Sequence, residues 1–170
     1  VTLLAPGGYE FAVGILAILA LGAAASAISI VQPVHETTYY VQKTKSVAVL
    51  VASPALELGS ALVKEVRKSI NPDFVYMPIS VYRNGPSVST ADIRISSNRY
   101  LDPNGAGIVI FTSGTTGPPK GAVLRRAAVS DGAMSFASQM QISDGDVLLH
   151  LLPVHHATGI WVSFFPFMIS

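Results

Sequence analysis

A chain of 170 residues is long enough for one domain with a real core, and 50% hydrophobic with 12% charged residues is an apolar balance for such a domain. The net charge of +1 gives no long-range attraction to nucleic acid, so we predict no nucleic-acid partner. The absence of cysteine excludes disulfides, thiolate metal sites and a cysteine nucleophile, and it is compatible with a reducing, intracellular compartment.

The two ends of the chain indicate a partial domain. The chain starts at Val1 rather than at methionine, and it stops at Ser170, directly after the apolar stretch Trp161–Ile169. Natural termini are usually polar and mobile. We therefore expect residues 1–170 to form one partial domain that is truncated at both ends.

The first half of the chain alternates between short apolar runs and helical patterns. The clearest helix is Leu56–Ile70, where apolar residues recur every four positions and charged residues fall on the opposite side. The other predicted segments, in chain order, are an apolar run over Val1–Leu4, a buried helix over Glu10–Leu21, a strand over Ala24–Val31, a helix over Pro33–Gln42, a strand over Val47–Ala52 buried on both faces, and a strand over Phe74–Met77.

The stretch Phe11–Val31 has no charged residue over 21 positions, so hydropathy alone would make it a membrane helix. Gly14 and Gly22 divide it, and no positively charged flank precedes it. We favour a buried helix followed by a buried strand, and we do not expect membrane association. A membrane-associated segment is kept as an alternative.

The second half begins with the polar stretch Ile79–Gly105, which we interpret as a long connection with one short strand at most. The segments predicted after it are a strand over Gly107–Thr112, a helix over Arg126–Gln141 with Val129, Ala133, Phe136, Ala137 and Met140 inward, a strand over Val147–Leu152, and a helix over His156–Ile169. Alternating strands and helices predict an α/β fold, with a mostly parallel sheet and helices on both of its faces.

The segment Thr112–Gly121 carries the strongest functional signal. Its glycines permit unusual backbone conformations and a close approach of the chain to a ligand, so that successive N–H groups can form an anion-binding concavity. Lys120 adds a mobile positive charge, and the hydroxyls of four residues can donate to phosphate oxygens: Thr112, Ser113, Thr115 and Thr116. Pro119 and Gly121 flank Lys120, which excludes a Walker A loop, since that motif has glycine before the lysine and Ser or Thr after it.

Thr112–Gly121 resembles the phosphate-loop signature of the acyl-adenylating superfamily, which includes AMP-forming acyl-CoA synthetases, nonribosomal adenylation domains and luciferases. Leu152–Gly159 resembles a second core motif of the same superfamily, at a similar place downstream of the first. The resemblance spans nearly the whole chain and corresponds to roughly the first third of such an enzyme, within its N-terminal domain.

The resemblance implies an enzyme that joins a carboxylic acid to the α-phosphate of ATP and then passes the acyl group to a thiol, with CoA as the expected acceptor. It implies ATP, Mg²⁺ carried with the nucleotide, and a small carboxylic acid such as malonate as ligands. His156 falls on the motif histidine beside the substrate pockets, together with His155 and Gly159. The residues that it assigns to the ATP phosphates are Thr112, Ser113, Gly114, Thr115, Thr116, Gly117 and Lys120.

The adjacent histidines could also indicate a metal site, but no cysteine or glutamate lies near them, so we predict none. His155 could equally be a packing residue. Arg125–Arg126 departs from the Thr/Ser-His pair usual in the family, so the next helix lacks a hydroxyl cap.

No lysine follows Lys120 and no glutamate follows Glu65, although the family needs a later Glu for Mg²⁺ and a C-terminal lysine. We expect the parent protein to be an acid–thiol ligase and this chain alone to be inactive. A truncated, non-catalytic product is the alternative.

Overall fold

The computed structural model describes residues 1–81, 89, 101–112 and 117–170. Its first half is built around a parallel sheet of four strands in the spatial order β2-β1-β3-β4. Thr2 pairs with Ser26 on one side and with Val49 on the other, so β1 lies in the middle of the sheet. The four strands are β1 (Thr2–Leu4), β2 (Ser26–Ile28), β3 (Ala48–Val51) and β4 (Val75–Pro78).

Three helices connect these strands and cover both faces of the sheet, as a parallel arrangement requires. They are α1 (Tyr9–Ala20), α2 (Val34–Thr44) and α3 (Leu56–Ser69). Phe11 and Ile15 of α1 pack with Leu3 in one core, whereas α2 and α3 pack with Val49 and Val51 in a second core. The predicted α/β class and the helices on both faces are therefore confirmed.

Helix α1 packs very closely on β1. A Cβ at Gly14 would lie 2.7 Å from a methyl of Leu3, so a larger residue there would force the Leu3 side chain to shift. The prediction that this helix is apolar and buried nearly all round is only partly right, because Val13 and Leu16 face outward and are exposed. In the described residues no helix is long and apolar enough to cross a membrane, since 11–31 is divided between α1 and β2.

The second half of the chain forms an antiparallel hairpin of β5 (Ala106–Thr112) and β6 (Lys120–Arg125). The hairpin joins the parallel sheet at Ala25, whose N–H donates to Gly107 and whose carbonyl accepts from Val109, both at 2.8 Å. The sequence interpretation missed β6, because its residues are nearly all exposed and show no buried face.

Helix α4 (Arg126–Gln139) follows β6 directly, and no side chain caps its N-terminus at Arg125, as predicted. Val129, Ala133 and Ala137 are buried, but Met140 lies beyond the end of the helix and is 62% exposed, so its predicted inward position is wrong. The chain ends in a π-helix (Thr158–Phe164) that continues into α5 (Phe165–Ile169), where a helix is predicted.

The strand predicted over 147–152 is wrong. This segment has no regular structure, and Val147, Leu149 and Leu151 are 96%, 78% and 79% exposed. A strand needs a neighbour to accept its hydrogen bonds, and no strand in the described part of the chain pairs with this segment. Most of the predicted connection between residues 79 and 105 lies outside the described residues.

Candidate functional site

The glycine-rich segment is the connection of the β5–β6 hairpin. Thr112 pairs with Lys120 across the two strands, and the Thr112 hydroxyl donates to the Lys120 carbonyl at 3.3 Å. Thr112, Gly117 and Lys120 are exposed at the two ends of the loop. The predicted phosphate ligands Ser113, Gly114, Thr115 and Thr116 lie outside the described residues.

The second motif forms a tight turn that leads into the π-helix. The His156 N–H donates to the Pro153 carbonyl at 3.0 Å, which closes the turn. The Thr158 N–H donates to Nδ1 of His156 at 3.4 Å, and the Thr158 hydroxyl lies 3.2 Å from the same nitrogen. Because a backbone N–H can only donate, Nδ1 accepts, and the proton of the neutral His156 ring lies on Nε2.

His155 is half-buried in the same turn, and His156 is exposed. Burial lowers the pKa of His155 below its ordinary value, and the neighbouring His156 lowers that pKa further. Both causes disfavour the imidazolium form. His155 is therefore a neutral ring at neutral pH.

The two motifs meet at one cleft of about 210 Å³. Thr112 and Pro119 line it from the hairpin, and His155 and His156 line it from the turn. The cleft lies beyond the carboxyl end of β2, where open α/β sheets bind ligands. Its described lining contains hydroxyl, amide and imidazole groups and no carboxylate, which suits an anionic ligand: Ala27, Ile28, Ser29, Gln32, Tyr40, Phe111, Thr112, Pro119, His155 and His156.

Three of the described site residues predicted from the sequence do not line this cleft: Gly117, Lys120 and Gly159. Lys120 faces a neighbouring cleft of about 470 Å³, which Phe111 and Pro119 separate from the first. Gly159 is buried behind the histidine turn, where a Cβ would lie 2.0 Å from the Pro153 carbonyl oxygen. The Gly159 carbonyl accepts a hydrogen bond from Nε2 of His150 at 2.8 Å, so Gly159 packs the turn against the helix.

Sequence reasoning missed the residues that α2 and its preceding loop contribute. Ser29, Gln32 and Tyr40 line the cleft, and the Tyr40 ring packs against Phe111 of the hairpin at a tilt of 43°, with centroids 4.3 Å apart. The predicted strand over Ala24–Val31 included Ser29, whereas β2 ends at Ile28, so the sequence did not show that Ser29 lies at the ligand edge of the sheet. Across the described residues, no three His, Cys, Asp or Glu side chains lie together as a metal site would require.

Several known proteins are similar to this chain in sequence. The chain is 26% identical to a CoA ligase of Gibberella moniliformis over 94% of its own length and 26% of that protein. It is 28% identical to a mitochondrial malonate–CoA ligase of Bos taurus over 75% of its own length and 21% of that protein. The chain thus spans about a quarter of the length of these curated relatives.

Solved structures share the fold. ATP-bound MatB from Rhodopseudomonas palustris matches 97% of this chain with a TM-score of 0.73 and 19% identity, over 32% of its own chain. A red-emitting luciferase from Phrixothrix hirtus matches 99% of this chain with a TM-score of 0.76 and 16% identity, over 34% of its own chain. A family model described as AMP-binding enzyme matches residues 1–170, so this chain belongs to the family of AMP-binding enzymes.

Proposed function

We propose that this chain supplies the triphosphate-binding loop and one wall of the substrate cleft of an AMP-forming acid–thiol ligase. In the first step a carboxylate oxygen attacks the α-phosphorus of ATP and pyrophosphate leaves. In the second step a thiol sulfur, which we take to be that of CoA, attacks the acyl carbon and AMP leaves. The observation that carries the proposal is the single cleft at which the ends of the two motifs meet.

The glycine loop would hold the β- and γ-phosphates. The hydroxyls of Thr112, Ser113, Thr115 and Thr116 would donate to phosphate oxygens, and the backbone at Gly114 and Gly117 would allow the chain to approach them. Lys120 would add a cation from the outgoing strand. Mg²⁺ bound to the nucleotide would neutralise further charge, so the protein mainly positions and stabilises the leaving pyrophosphate.

The histidine turn would contact the acid or the adenylate. The Nε2 proton of His156 is the donor that this turn can direct at an anionic oxygen, because Nδ1 is occupied by Thr158. His155, neutral through burial, would provide a half-buried wall of the cleft. Gly159 would support the turn by close packing rather than by touching the ligand.

For the acid substrate we propose a chemical class rather than one molecule. The Bos taurus relative is a malonate–CoA ligase, which makes malonate the first acid to test, followed by other short-chain and dicarboxylic acids. ATP and CoA are metabolites of the cell interior, so we propose an intracellular reaction.

We also propose that the 170-residue chain has no ligase activity by itself. It contains no lysine after Lys120 and no glutamate after Glu65, and it spans about a quarter of its curated relatives. Isolated phosphate contacts would bind a polyphosphate only weakly, since the remaining contacts that offset the cost of binding are missing.

The test is acid-dependent exchange of labelled pyrophosphate into ATP by a full-length protein that contains this segment. We expect exchange with at least one acid of the panel, and we expect CoA thioester when CoA is added. The 170-residue chain, assayed beside it, should give no exchange. If the full-length protein exchanges pyrophosphate with no acid while remaining folded, the non-catalytic alternative replaces this proposal.

A further inference from the structure

The outgoing end of the glycine loop is held by a residue far away in sequence. The Tyr39 hydroxyl on α2 donates to the Pro119 carbonyl at 2.9 Å, across 80 positions of the chain. We call Pro118–Lys120 the outgoing limb of the loop. Pro118 and Pro119 have no N–H, so hydrogen bonds can fix the main chain at these two positions only through the carbonyl groups. A carbonyl anchor one residue before Lys120 therefore sets where the outgoing strand begins.

Aromatic contacts hold the Tyr39 ring in place. It packs edge-on against Tyr40, with centroids 5.8 Å apart, and Tyr40 in turn packs at a tilt against Phe111 of β5. The Lys43 ammonium, one helical turn along α2, lies 5.3 Å above the Tyr39 ring. The hydroxyl is thus tied through two aromatic contacts to the strand that enters the loop.

Two hydrogen bonds therefore hold the main chain at Lys120 and at the residue before it. On one side Tyr39 holds the carbonyl of Pro119, and on the other side the Thr112 hydroxyl donates to the carbonyl of Lys120 itself. Pro119 also forms part of the wall between the two clefts, since it lines both. Movement of this limb would change the position of Lys120 relative to the cleft of the histidine turn.

We propose that Tyr39 is a positioning residue that fixes the Pro118–Lys120 limb of the loop for ATP binding. The expected effect on ATP binding rests on the proposed function, whereas the anchoring of Pro119 by Tyr39 does not. Tyr39 makes no contact with the reacting atoms in this account. It acts only through the main chain of Pro119.

The experiment compares Tyr39→Phe with Tyr9→Phe in the full-length protein. Tyr39→Phe removes only the donating oxygen and keeps the ring against Tyr40. Tyr9 is exposed at the start of α1, away from both clefts, and serves as the matched control. Circular dichroism and the unfolding midpoint of each variant establish that the fold is kept.

Two readouts are used. The first is the rate of tryptic cleavage at the Lys120–Gly121 bond under native conditions, followed by mass spectrometry, which reports local opening of the hairpin end. The second is the KM for ATP against kcat in pyrophosphate exchange. Loss of one neutral hydrogen bond should raise both the cleavage rate and the KM about three- to tenfold, with kcat within about twofold of wild type.

A cleavage rate for Tyr39→Phe equal to that of Tyr9→Phe overturns the proposal, and so does a fall in kcat with an unchanged KM. If the wild-type protein performs no exchange at all, the proposed function fails. The cleavage rate then decides alone whether Tyr39 anchors the limb.

Discussion

The parallel sheet of the first half and the hairpin region of the second half are built from similarly apolar sequence but bury it very differently. In the first half four strands pair with one another in one parallel sheet, and Leu3, Leu4, Val49 and Val51 are all fully buried. In the second half Val123, Val147, Leu149 and Leu151 are exposed. A hydrophobic pattern therefore predicts a strand correctly only where the described chain also supplies the neighbouring strand.

The largest expected effect is a core truncation in the first half. Phe74→Ala removes a fully buried ring between α3 and the sheet and should lower the free energy of unfolding by about 3–5 kcal/mol. Leu149→Ala, in the exposed segment of the second half, should change it by less than about 0.5 kcal/mol. Urea unfolding of the two variants, followed by circular dichroism, measures both. Equal losses would show that residue 149 is buried in the protein, so that the two halves would not differ in this respect.

Two glycines, one in each half of the chain, test the same difference in packing. A Cβ at Gly59 on α3 would lie 2.8 Å from both Val51 methyls, so Gly59→Ala should cost about 1–3 kcal/mol through overpacking. At Gly145 no atom lies within 4 Å of an added Cβ, so Gly145→Ala should have almost no effect. Thermal unfolding of both variants checks this. A stable Gly59→Ala would mean that α3 can move away from the sheet.

Lys120→Ala tests the functional loop rather than the fold. Removing the cation that we propose to contact phosphate should raise the KM for ATP about 10- to 100-fold in pyrophosphate exchange, while the unfolding midpoint stays unchanged because Lys120 is exposed. Lys45→Ala, at the exposed C-terminal end of α2, is the control. A KM unaltered by Lys120→Ala would remove the loop lysine from ATP binding.

The smallest effect is a pH dependence. Burial lowers the pKa of His155 in the folded state, so the unfolded state binds this proton more readily. Stability should fall as pH drops through the ordinary histidine pKa and level off below the lowered one. His155→Gln should flatten this part of the stability–pH curve relative to the wild-type protein. An unchanged slope in His155→Gln would exclude His155 as its cause.

The order of elements in the first half followed from the sequence because local patterns and tertiary partners agree there. Pro33 directly precedes α2 with a φ of −66°, which the proline ring favours, and the Leu62 and Val66 stripe is the buried face of α3. The exposed strand β6 could not be predicted, because it has no alternation of buried and exposed residues. Its formation depends on pairing with β5, which no local signal in Lys120–Arg125 reports.

The candidate site was predictable in part. The glycine loop and the histidine turn were identified by motif, and the structure brings Thr112, His155 and His156 to one cleft. The contribution of Tyr39 could not be anticipated, since its contact with Pro119 joins positions 80 residues apart. This contact depends on how α2 packs against the hairpin, and no local sequence pattern indicates that packing.

The bridge at Ala25 has a consequence for the cleft. Ala25 both donates to and accepts from β5, so the strand that leads into the glycine loop is hydrogen-bonded to the start of the β2 segment, and β2 ends at Ile28, one residue before the cleft residue Ser29. Main-chain hydrogen bonds, rather than side-chain packing, then set the distance between the wall of the cleft at Ser29 and the wall at Thr112. Substitutions along the lining could alter which molecule is accepted while the spacing of the walls stays constant.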